Sequence, residues 1–333
     1  MPEILEICLN EEEASILLAL PGTPNEVAKK LDKKDSHVDS ILDELFKTGF
    51  VVRRSEESGL TYGLVNDLWS MVLPDKRVLE KLEKTHMRER FLDLWDQFYE
   101  REFVHQSTLT SSDEYQARII PVEITIPMKW GEVLPHETAS KILEDARTIA
   151  VTECACRTSG RRCDNPTDVC ILLEDFADLF IERGVARKIS KDEALAILGR
   201  CEELGLVHQL NNTEPKGYQF LCNCCSCCCA LLRGMISLGK DTISLKSRYL
   251  STIDQELCDG CGLCVDRCQF EAIVLEDSKA MVNEEKCFGC GLCASTCPTN
   301  AIHLVQIRGP EHIKKHLLEA PEDIIDDLMI SKE

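Results

Sequence analysis

The sequence has no long apolar run, and this absence bears first on where the chain resides. Uncharged apolar runs such as ILLAL, Ile16 to Leu20, are far shorter than the roughly 20 residues that a membrane-spanning helix needs. The N-terminal stretch MPEILEICLNEEEA is acidic, and it lacks the basic segment with which a secretory signal begins. The sequence therefore predicts a cytoplasmic protein without a membrane span.

The chain also lacks the short motifs that mark nucleotide sites and nucleophilic catalysis. No G-x-G-x-x-G follows a predicted strand, and there is neither a P-loop nor a recognisable nucleophile–base motif. The sequence thus predicts no nicotinamide, flavin or nucleotide site, and it names no catalytic residue. Whether the protein is an enzyme stays open at this point.

Positive charge is scarce as well. The chain has 38 lysine and arginine residues against 58 aspartate and glutamate residues, a formal net charge of −20. A field of this sign repels nucleic acid and anionic membranes, and it favours docking to basic surfaces of partner proteins. The charge argues against DNA as a partner.

Cysteine, in contrast, is abundant, with 20 residues in the chain. In a cytoplasmic protein, clustered cysteines indicate metal ligation before they indicate disulfides, and free thiols at this density need a reducing or anaerobic compartment. Consecutive cysteines such as Cys227, Cys228 and Cys229 would also form poor, easily scrambled bridges. The pattern therefore predicts bound metal.

Two copies of one cysteine motif lie near the C-terminus. The first is CDGCGLCVDRC, Cys258 to Cys268, and the second is CFGCGLCASTC, Cys287 to Cys297. The spacing C-x2-C-x2-C-x3-C lets a short loop place three thiolates on one [4Fe–4S] cube, while the fourth points toward a neighbouring cube. A zinc ribbon typically uses paired C-x2-C steps, so the repeat favours iron–sulfur clusters.

Residues 250 to 306 resemble the bacterial-type two-cluster ferredoxins. The resemblance implies a small α+β module with two [4Fe–4S] clusters, which transfer single electrons at low potential. It implies Cys258, Cys261, Cys264 and Cys297 as ligands of the first cluster. For the second cluster it implies Cys287, Cys290, Cys293 and Cys268. The second copy has the family's usual proline, Pro298, after its fourth cysteine, whereas the first copy has Gln269 there.

The N-terminal part predicts helices followed by a hairpin. Thr23 and Glu26 form a capping box, with Pro24 at the first helical position. In DSHVDSILDELFKTG, apolar residues recur at helical spacing, and Gly49 is placed to end the helix. VVRRSEESGLTYGLV predicts two short strands around a polar turn. This order of elements resembles a winged-helix domain.

Winged helices often bind DNA, but the outward face of the corresponding recognition helix carries carboxylates at Asp39, Asp43 and Glu44. Carboxylates facing phosphates oppose the attraction that supplies most non-specific binding. Four basic residues argue the other way: Lys33, Lys34, Arg53 and Arg54. The sequence favours a protein-docking role for this module, and a redox-responsive DNA-binding regulator is the weaker alternative.

These patterns predict an α+β multidomain protein in five segments. They are a winged-helix-like module (1–72), a helical and strand connector (73–130), a cysteine-rich metal or cluster domain (131–249), a two-[4Fe–4S] ferredoxin domain (250–308) and an acidic helical tail (309–333). In the connector, aromatic residues at helical spacing predict a core or an interface: Phe91, Trp95, Phe98 and Tyr99. TSSDE predicts a loop, and RIIPVEITI (118–126) predicts a strand. The tail is suited to cover the ferredoxin module or to dock a partner.

The cysteine-rich domain contains ten further cysteines that the sequence groups as candidate metal ligands. The first group is Cys154, Cys156, Cys163 and Cys170. The second group lies in LCNCCSCCCALL: Cys222, Cys224, Cys225, Cys227, Cys228 and Cys229. A helix capped by Ser190 and the strands LVHQL and YQFLCNC form a helix–hairpin spacer between the groups. The six-cysteine run is therefore expected to begin at a strand end and to enter a helix near Ala230.

Three interpretations of these ten thiols stay open. They hold one or two further [4Fe–4S] clusters, or structural zinc, or a reactive centre such as a cluster with an open iron. The steps C-x-C and C-x2-C suit all-cysteine zinc sites, whereas the neighbouring ferredoxin motifs favour iron among the soft metals that thiolates select. Residues 130–306, with CACR and CNCCSCCC, are similar to multi-cluster ferredoxin-like proteins of anaerobic microbes.

Other candidate residues have plainer interpretations. Three arginines near the first group either offset the charge of a cluster or form a solvated basic loop: Arg157, Arg161 and Arg162. Cys8 and Cys201, each alone in an apolar helical context, are predicted core thiols. Four histidines without a partner at ligand spacing are predicted to be structural: His105, His136, His208 and His303.

Together these features predict an iron–sulfur electron-transfer protein of an anaerobe. It would relay low-potential single electrons to or from a partner oxidoreductase or a soluble electron carrier, with the N-terminal module docking the partner. The first alternative is a reductive or cofactor-activating enzyme whose active centre is the central cysteine site. The sequence favours the relay, or an oxidoreductase subunit, over a stand-alone enzyme.

Overall fold

The computed structural model describes residues 2–56, 59–65, 74–103, 115–127, 134, 137–238 and 243–319, with residues 322, 323, 325, 328 and 329. His105, His136 and the predicted TSSDE loop lie outside these residues. Helices and strands are mixed along the chain, which agrees with the predicted α+β class. No helix in the described part combines the length and apolar character that crossing a bilayer requires.

The N-terminal segment forms four helices and a hairpin. The helices are Pro2–Cys8, Glu11–Leu18, Pro24–Leu31 and Asp35–Lys47. Strands β1 (Val51–Glu56) and β2 (Gly59–Leu64) pair antiparallel. The capping box of Thr23 and Glu26 is present, and the predicted apolar face of the fourth helix is buried at Val38, Leu42, Leu45 and Phe46. The local elements predicted here are confirmed.

An aromatic core follows. Helices Lys76–Glu83 and Arg88–Phe98 lead into a π-helical turn, Tyr99–Phe103. Phe91, Trp95, Phe98 and Tyr99 are all buried, and the rings of Phe91 and Trp95 stack with their centroids 5.6 Å apart. These side chains share one apolar core with the N-terminal helices and with helix Glu174–Glu182. The predicted core role of the aromatic residues is confirmed.

A buried ion pair joins this core to the central domain. Arg183 Nη2 lies 3.0 Å from Asp75 Oδ2, and both side chains are almost wholly buried. Asp75 also caps helix Lys76–Glu83 by accepting hydrogen bonds from the backbone N–H groups of Arg77 and Val78. Burial raises the pKa of Asp75, and the Arg183 charge acts against that rise. The Asp75 carboxylate thus both caps helix Lys76–Glu83 and neutralises Arg183 of the central domain.

We expect Asp75→Asn to lower the free energy of unfolding by about 3–5 kcal/mol, because it leaves the Arg183 charge buried without a counterion. Denaturant unfolding of the metal-loaded protein measures the change. Glu80→Gln, which removes the exposed partner of Lys76, is the control and should change stability by less than about 1 kcal/mol. Equal losses of unfolding free energy for the two substitutions would contradict a stabilising role of the buried Asp75–Arg183 pair.

The central domain is built on one seven-stranded sheet. Its strands are β3 (Ala117–Ile120), β4 (Ile149–Thr152), β5 (Cys170–Leu173), β6 (Ala186–Lys188), β7 (Val207–Asn211), β8 (Phe220–Cys224) and β9 (Ser244–Leu245). The order across the sheet is β6-β4-β5-β8-β7-β3-β9. Neighbours pair antiparallel except β3 and β9, which pair parallel. The helices of this domain are Ala139–Asp145, Ala155–Gly160, Glu174–Glu182, Lys191–Glu203 and Ala230–Leu238.

Three sequence expectations concern this domain, and two of them are confirmed. The spacer of helix Lys191–Glu203 followed by β7 and β8 is confirmed, as is the entry of the six-cysteine run into a helix at Ala230. The single strand expected over 118–126 is wrong. It ends at Ile120, and residues Glu123–Thr125 form a 3-10 turn. Pro121 has no N–H to donate to a strand ladder, which explains the early end.

The C-terminal module is small and pairs its strands antiparallel. Strand β10 (Tyr249–Ile253) pairs with β13 (Ile302–Gln306), and β11 (Ile273–Glu276) pairs with β12 (Lys279–Val282). Each cysteine motif contains a short helix just before its fourth cysteine, Leu263–Arg267 or Leu292–Thr296. After the module, the described part of the tail contains helix Glu311–Lys314 and a bridge from Leu318 to Thr213 of the central domain.

Candidate metal centres

The ferredoxin cysteines form two groups. In the first group, four cysteines line one small cavity: Cys258, Cys261, Cys264 and Cys297. Burial raises the pKa of the Cys264 thiol, and the charges of the other three act in the same direction. Cys297 Sγ accepts a hydrogen bond of 3.3 Å from the backbone N–H of Ala301. This group lies near solvent, because Cys261 is exposed.

The second group lies deeper. Burial raises the pKa of the Cys290 thiol well above its usual range, with further contributions from Cys293, Cys268 and Cys287. Ala272 N–H donates to Cys268 Sγ at 3.2 Å, and Ser251 Oγ lies 3.2 Å from Cys293 Sγ. Each group therefore combines three cysteines of one motif with the fourth cysteine of the other. All-thiolate sets with N–H groups aimed at sulfur fit [4Fe–4S] clusters.

Seven of the central cysteines line a cavity of about 390 Å³. One of them, Cys225, also belongs to a compact group of four described below. We call the site formed by the other six the six-thiol pocket: Cys154, Cys156, Cys170, Cys222, Cys224 and Cys229. Strands β5 and β8 are neighbours with Ile171 opposite Leu221, so Cys170 Sγ comes to 3.5 Å from Cys222 Sγ. Cys222 and Cys224 are two residues apart in β8 and project to the same face.

The thiols of this pocket are electrostatically linked. Hydrogen bonds from Cys222 and Cys229 lower the pKa of Cys224 to about 6. Hydrogen bonds with Cys170 and Cys224, together with burial, raise the pKa of Cys222 well above its usual range. One negative charge therefore suppresses ionisation of its neighbours, and only a bound cation would let four or more of these thiols ionise together.

The other four central cysteines gather beside the six-thiol pocket in the four-thiol group: Cys163, Cys225, Cys227 and Cys228. All of their Sγ atoms lie within 4.8 Å of one another. Cys163 Sγ lies 3.8 Å from both Cys225 Sγ and Cys228 Sγ. Asn165 Nδ2 donates to Cys163 Sγ at 3.4 Å. The ten thiols thus form two adjoining sites, and Cys225 of the four-thiol group also lines the six-thiol pocket.

Arg157 lies between these two sites. Its side chain is buried and donates to the carbonyl oxygens of Pro166 and Asn223. Burial alone would lower the pKa of the guanidinium, but the thiolates of Cys154 and Cys225, one from each site, raise it. Of the two interpretations open for this residue, the solvated basic loop is wrong, because Arg157 is buried.

Arg161 and Arg162 differ from Arg157 in that each forms an ion pair with a carboxylate. Arg161 pairs with Glu89 at 2.5 Å, and Arg162 pairs with Asp96 at 2.6 Å, both on helix Arg88–Phe98. These partly exposed ion pairs hold the loop against that helix. Both charges are thus paired with carboxylates, and Arg162 also lies near Cys228 of the four-thiol group.

The two single cysteines and the buried His208 have structural roles. Cys8 and Cys201 are buried in apolar clusters, and burial raises the pKa of each to about 12. His208 is buried with Nδ1 at 2.6 Å from Asn223 Oδ1. His303 is exposed on β13. The core role predicted for both cysteines is confirmed.

Sequence reasoning missed the polar residues that support the sites. Gln209 Nε2 donates to Cys229 Sγ at 3.7 Å, and its Oε1 accepts from Ser244 Oγ at 2.7 Å. The strand register would have identified Gln209 as a candidate, because Gln209 on β7 lies opposite Cys222 on β8. The sequence shows no such pairing, since it depends on strands brought together by folding.

The ferredoxin module is attached directly to the six-cysteine run. Gln269 Oε1 accepts hydrogen bonds of 2.8 Å from both the backbone N–H and the Oγ of Ser226. Its Nε2 donates to the carbonyl oxygen of Gly205 at 2.9 Å. Gln269 is the residue that stands where the ferredoxin resemblance implies a proline, and a proline could make none of these bonds. The departure thus serves as a contact between domains.

An apolar core continues from this contact. It contains Cys268, Cys287 and Cys290 of the second ferredoxin group together with Cys224 and Cys229 of the six-thiol pocket. Phe270 and Phe288 stack within it, with ring centroids 4.4 Å apart and an interplanar angle of 17°. The two sites therefore share one water-poor packing region.

Comparison with known proteins bears on the C-terminal module. The family model for the 4Fe-4S dicluster domain matches residues 251–304. No curated protein sequence matches the chain at a significant level. The C-terminal module is therefore a ferredoxin-like iron–sulfur domain, and the remaining residues gain no family from these comparisons.

Proposed function

We propose that this protein, with its ferredoxin-like iron–sulfur domain, relays low-potential single electrons between a partner oxidoreductase and a cluster held in the six-thiol pocket. In this proposal the two ferredoxin groups each hold one [4Fe–4S] cluster, and at least four of the six pocket thiols hold a third. Bound clusters supply one-electron redox chemistry, tuned by burial and by hydrogen bonds to sulfur. The chain's own residues hold these groups, exclude water and fix their spacing.

The observation that carries the proposal is the shared core. The second ferredoxin group and the six-thiol pocket contact the same apolar side chains, including the Phe270–Phe288 stack. Gln269 fixes the two parts against each other through Ser226 and Gly205. The first group, with its exposed Cys261, the deeper second group and the pocket thus provide a path from the surface to the interior.

The test begins with protein purified under anaerobic conditions. We expect about twelve iron atoms per chain, at four for each of three clusters. After flash reduction by a photoreduced deazaflavin, freeze-quench electron paramagnetic resonance should show the ferredoxin clusters reduced first and the central cluster afterwards. The Gln269→Ala variant should slow the second phase several-fold, since it removes the contacts that fix the two sites.

Gln255→Ala is the matched control, because the Gln255 amide donates to the Ala280 carbonyl oxygen within the ferredoxin module. It should leave the second phase unchanged. Absence of iron from the six-thiol pocket would contradict the proposal. So would a central cluster that stays oxidised while both ferredoxin clusters are reduced.

The six-thiol pocket favours a second candidate function, a reductive centre. Its volume of about 390 Å³ falls within the range of roughly 300–1,000 Å³ typical of ligand sites. Tyr99, Phe220 and Leu318 give it apolar walls. Cyanide added to the reduced protein should alter the spectrum of the central cluster if an iron has an exchangeable position. An unchanged spectrum at saturating cyanide would reject the reductive centre, and electron transfer would be the one proposed function that remains.

For the N-terminal module we propose protein docking rather than DNA binding. Three of the basic residues that argued for DNA are paired with carboxylates: Lys33 with Glu12, Arg53 with Glu182 and Arg54 with Asp323. A cation engaged in this way offers less attraction to phosphate. Binding of the protein to DNA in a gel-shift experiment at low salt would contradict the protein-docking role and favour DNA binding.

A further inference from the structure

The four-thiol group is more compact than a cluster site. Its four Sγ atoms all lie within 4.8 Å of one another, and the two distances from Cys163 are 3.8 Å. Among the residues that the structure describes, no other three or more cysteine sulfurs are this close together. The thiols that the ferredoxin module contributes are therefore more widely spread.

This compactness discriminates between one metal ion and a cube. Four sulfurs at about 2.3 Å from one tetrahedral zinc ion are separated from each other by about 3.8 Å, from the geometry of a tetrahedron. A cube inserts four iron atoms between its thiolates and needs a wider arrangement. The observed separations match the single ion.

The surroundings are those of a closed site. Cys225, Cys227 and Cys228 lie in the turn between β8 and helix Ala230–Leu238, and Cys163 lies in the loop after helix Ala155–Gly160. Cys225 and Cys228 are buried. Asn165 donates to Cys163 Sγ, a supporting contact of the kind that orients ligands. Four protein ligands leave no open position, as in structural zinc sites.

We propose that Cys163, Cys225, Cys227 and Cys228 bind one zinc ion in a structural site distinct from every iron–sulfur cluster of the chain. The ion ties the turn that contains Ser226 to the loop that contains Cys163. The same turn is flanked by Cys224 and Cys229 of the six-thiol pocket and accepts the ferredoxin module through Gln269. Zinc therefore fixes the turn between the two redox sites without itself changing oxidation state. This proposal does not depend on the electron relay.

The first test uses the wild-type protein, purified anaerobically from cells supplied with both iron and zinc. We expect about one zinc per chain that resists dialysis against a chelator. X-ray absorption at the zinc edge should show four sulfur neighbours at about 2.3 Å and no iron nearby. Nitrogen or oxygen neighbours in place of sulfur would overturn the assignment, as would a single iron bound in place of zinc.

The second test compares two cysteine variants. Cys227→Ser should lower the zinc content below half of the wild-type value while the iron count is unchanged. Cys201→Ala is the matched control, because Cys201 packs in the same apolar cluster as Cys225 and Cys228 but lies outside the four-thiol group. It should retain zinc. If Cys227→Ser instead removes about four iron atoms and no zinc, the group belongs to a cube and the proposal is wrong.

Discussion

Alanine at position 260 is expected to remove the first ferredoxin cluster, a loss of about four iron atoms per chain. Gly260 has φ +74°, a conformation that disfavours residues with a Cβ. An added Cβ would also clash with the backbone carbonyl oxygen of Ser278, which no side-chain rotation can relieve. The loop must therefore move, and it carries Cys258, Cys261 and Cys264 with it.

Iron analysis and electron paramagnetic resonance of Gly260→Ala measure the loss, and circular dichroism reports whether the rest of the chain keeps its fold. Gly199→Ala is the control, since an added Cβ there meets no atom within 4 Å. In the helix interior that substitution should be neutral or stabilising. A Gly260→Ala protein with the full iron content would show that the loop tolerates the shift.

Replacing Arg157 by methionine is expected to lower the potential of the cluster proposed for the six-thiol pocket by on the order of 100 mV. A unit charge roughly 6 Å away contributes roughly 3 kcal/mol at an effective dielectric constant of about 20. At about 59 mV per 1.4 kcal/mol for one electron, this is roughly 120 mV. The sign is negative because the lost positive charge stabilised the reduced, more anionic state.

A redox titration followed by electron paramagnetic resonance measures this shift. Arg157→Lys should restore most of the wild-type potential, since it keeps the charge, and this rescue separates electrostatics from a packing defect. Arg162→Met should move the potential much less, because Asp96 and Glu100 already balance that charge at the surface. Equal shifts for Arg157→Met and Arg162→Met would contradict the placement of Arg157 between the sites.

The parts of this protein that sequence could predict are those that depend on neighbours along the chain. The ferredoxin motifs, the capping box at Thr23 and the helix–hairpin spacer each lie within a short window, where spacing determines geometry. The buried aromatic residues follow the same rule, since helical periodicity alone places them on one face.

The division of the ten central thiols was beyond such reasoning. Cys170 and Cys222 meet because β5 pairs with β8, and Cys163 joins Cys225 because a loop folds back over the turn after β8. Both contacts connect residues more than fifty positions apart. Within the six-cysteine run, Cys225 belongs to the four-thiol group whereas the adjacent Cys224 does not, so no local spacing rule assigns them.

The role of Gln269 was hidden for the same reason. As sequence, it is one departure from the ferredoxin pattern. Its partners Ser226 and Gly205 lie more than forty residues away, and only the folded chain shows that one amide reaches both. Departures from a family pattern at such a position are therefore worth testing as contacts between domains.

The attachment of the ferredoxin module has a kinetic consequence. A separate ferredoxin must diffuse to its acceptor, orient and give up translational freedom at each encounter, so its rate depends on concentration. Here Gln269 and the Phe270–Phe288 core hold the second ferredoxin group beside the six-thiol pocket in every molecule. The two sites are therefore brought together once, when the chain folds. In the proposed relay, transfer between the two sites is therefore first order and independent of dilution, and only the exchange with the proposed outside partner depends on collision.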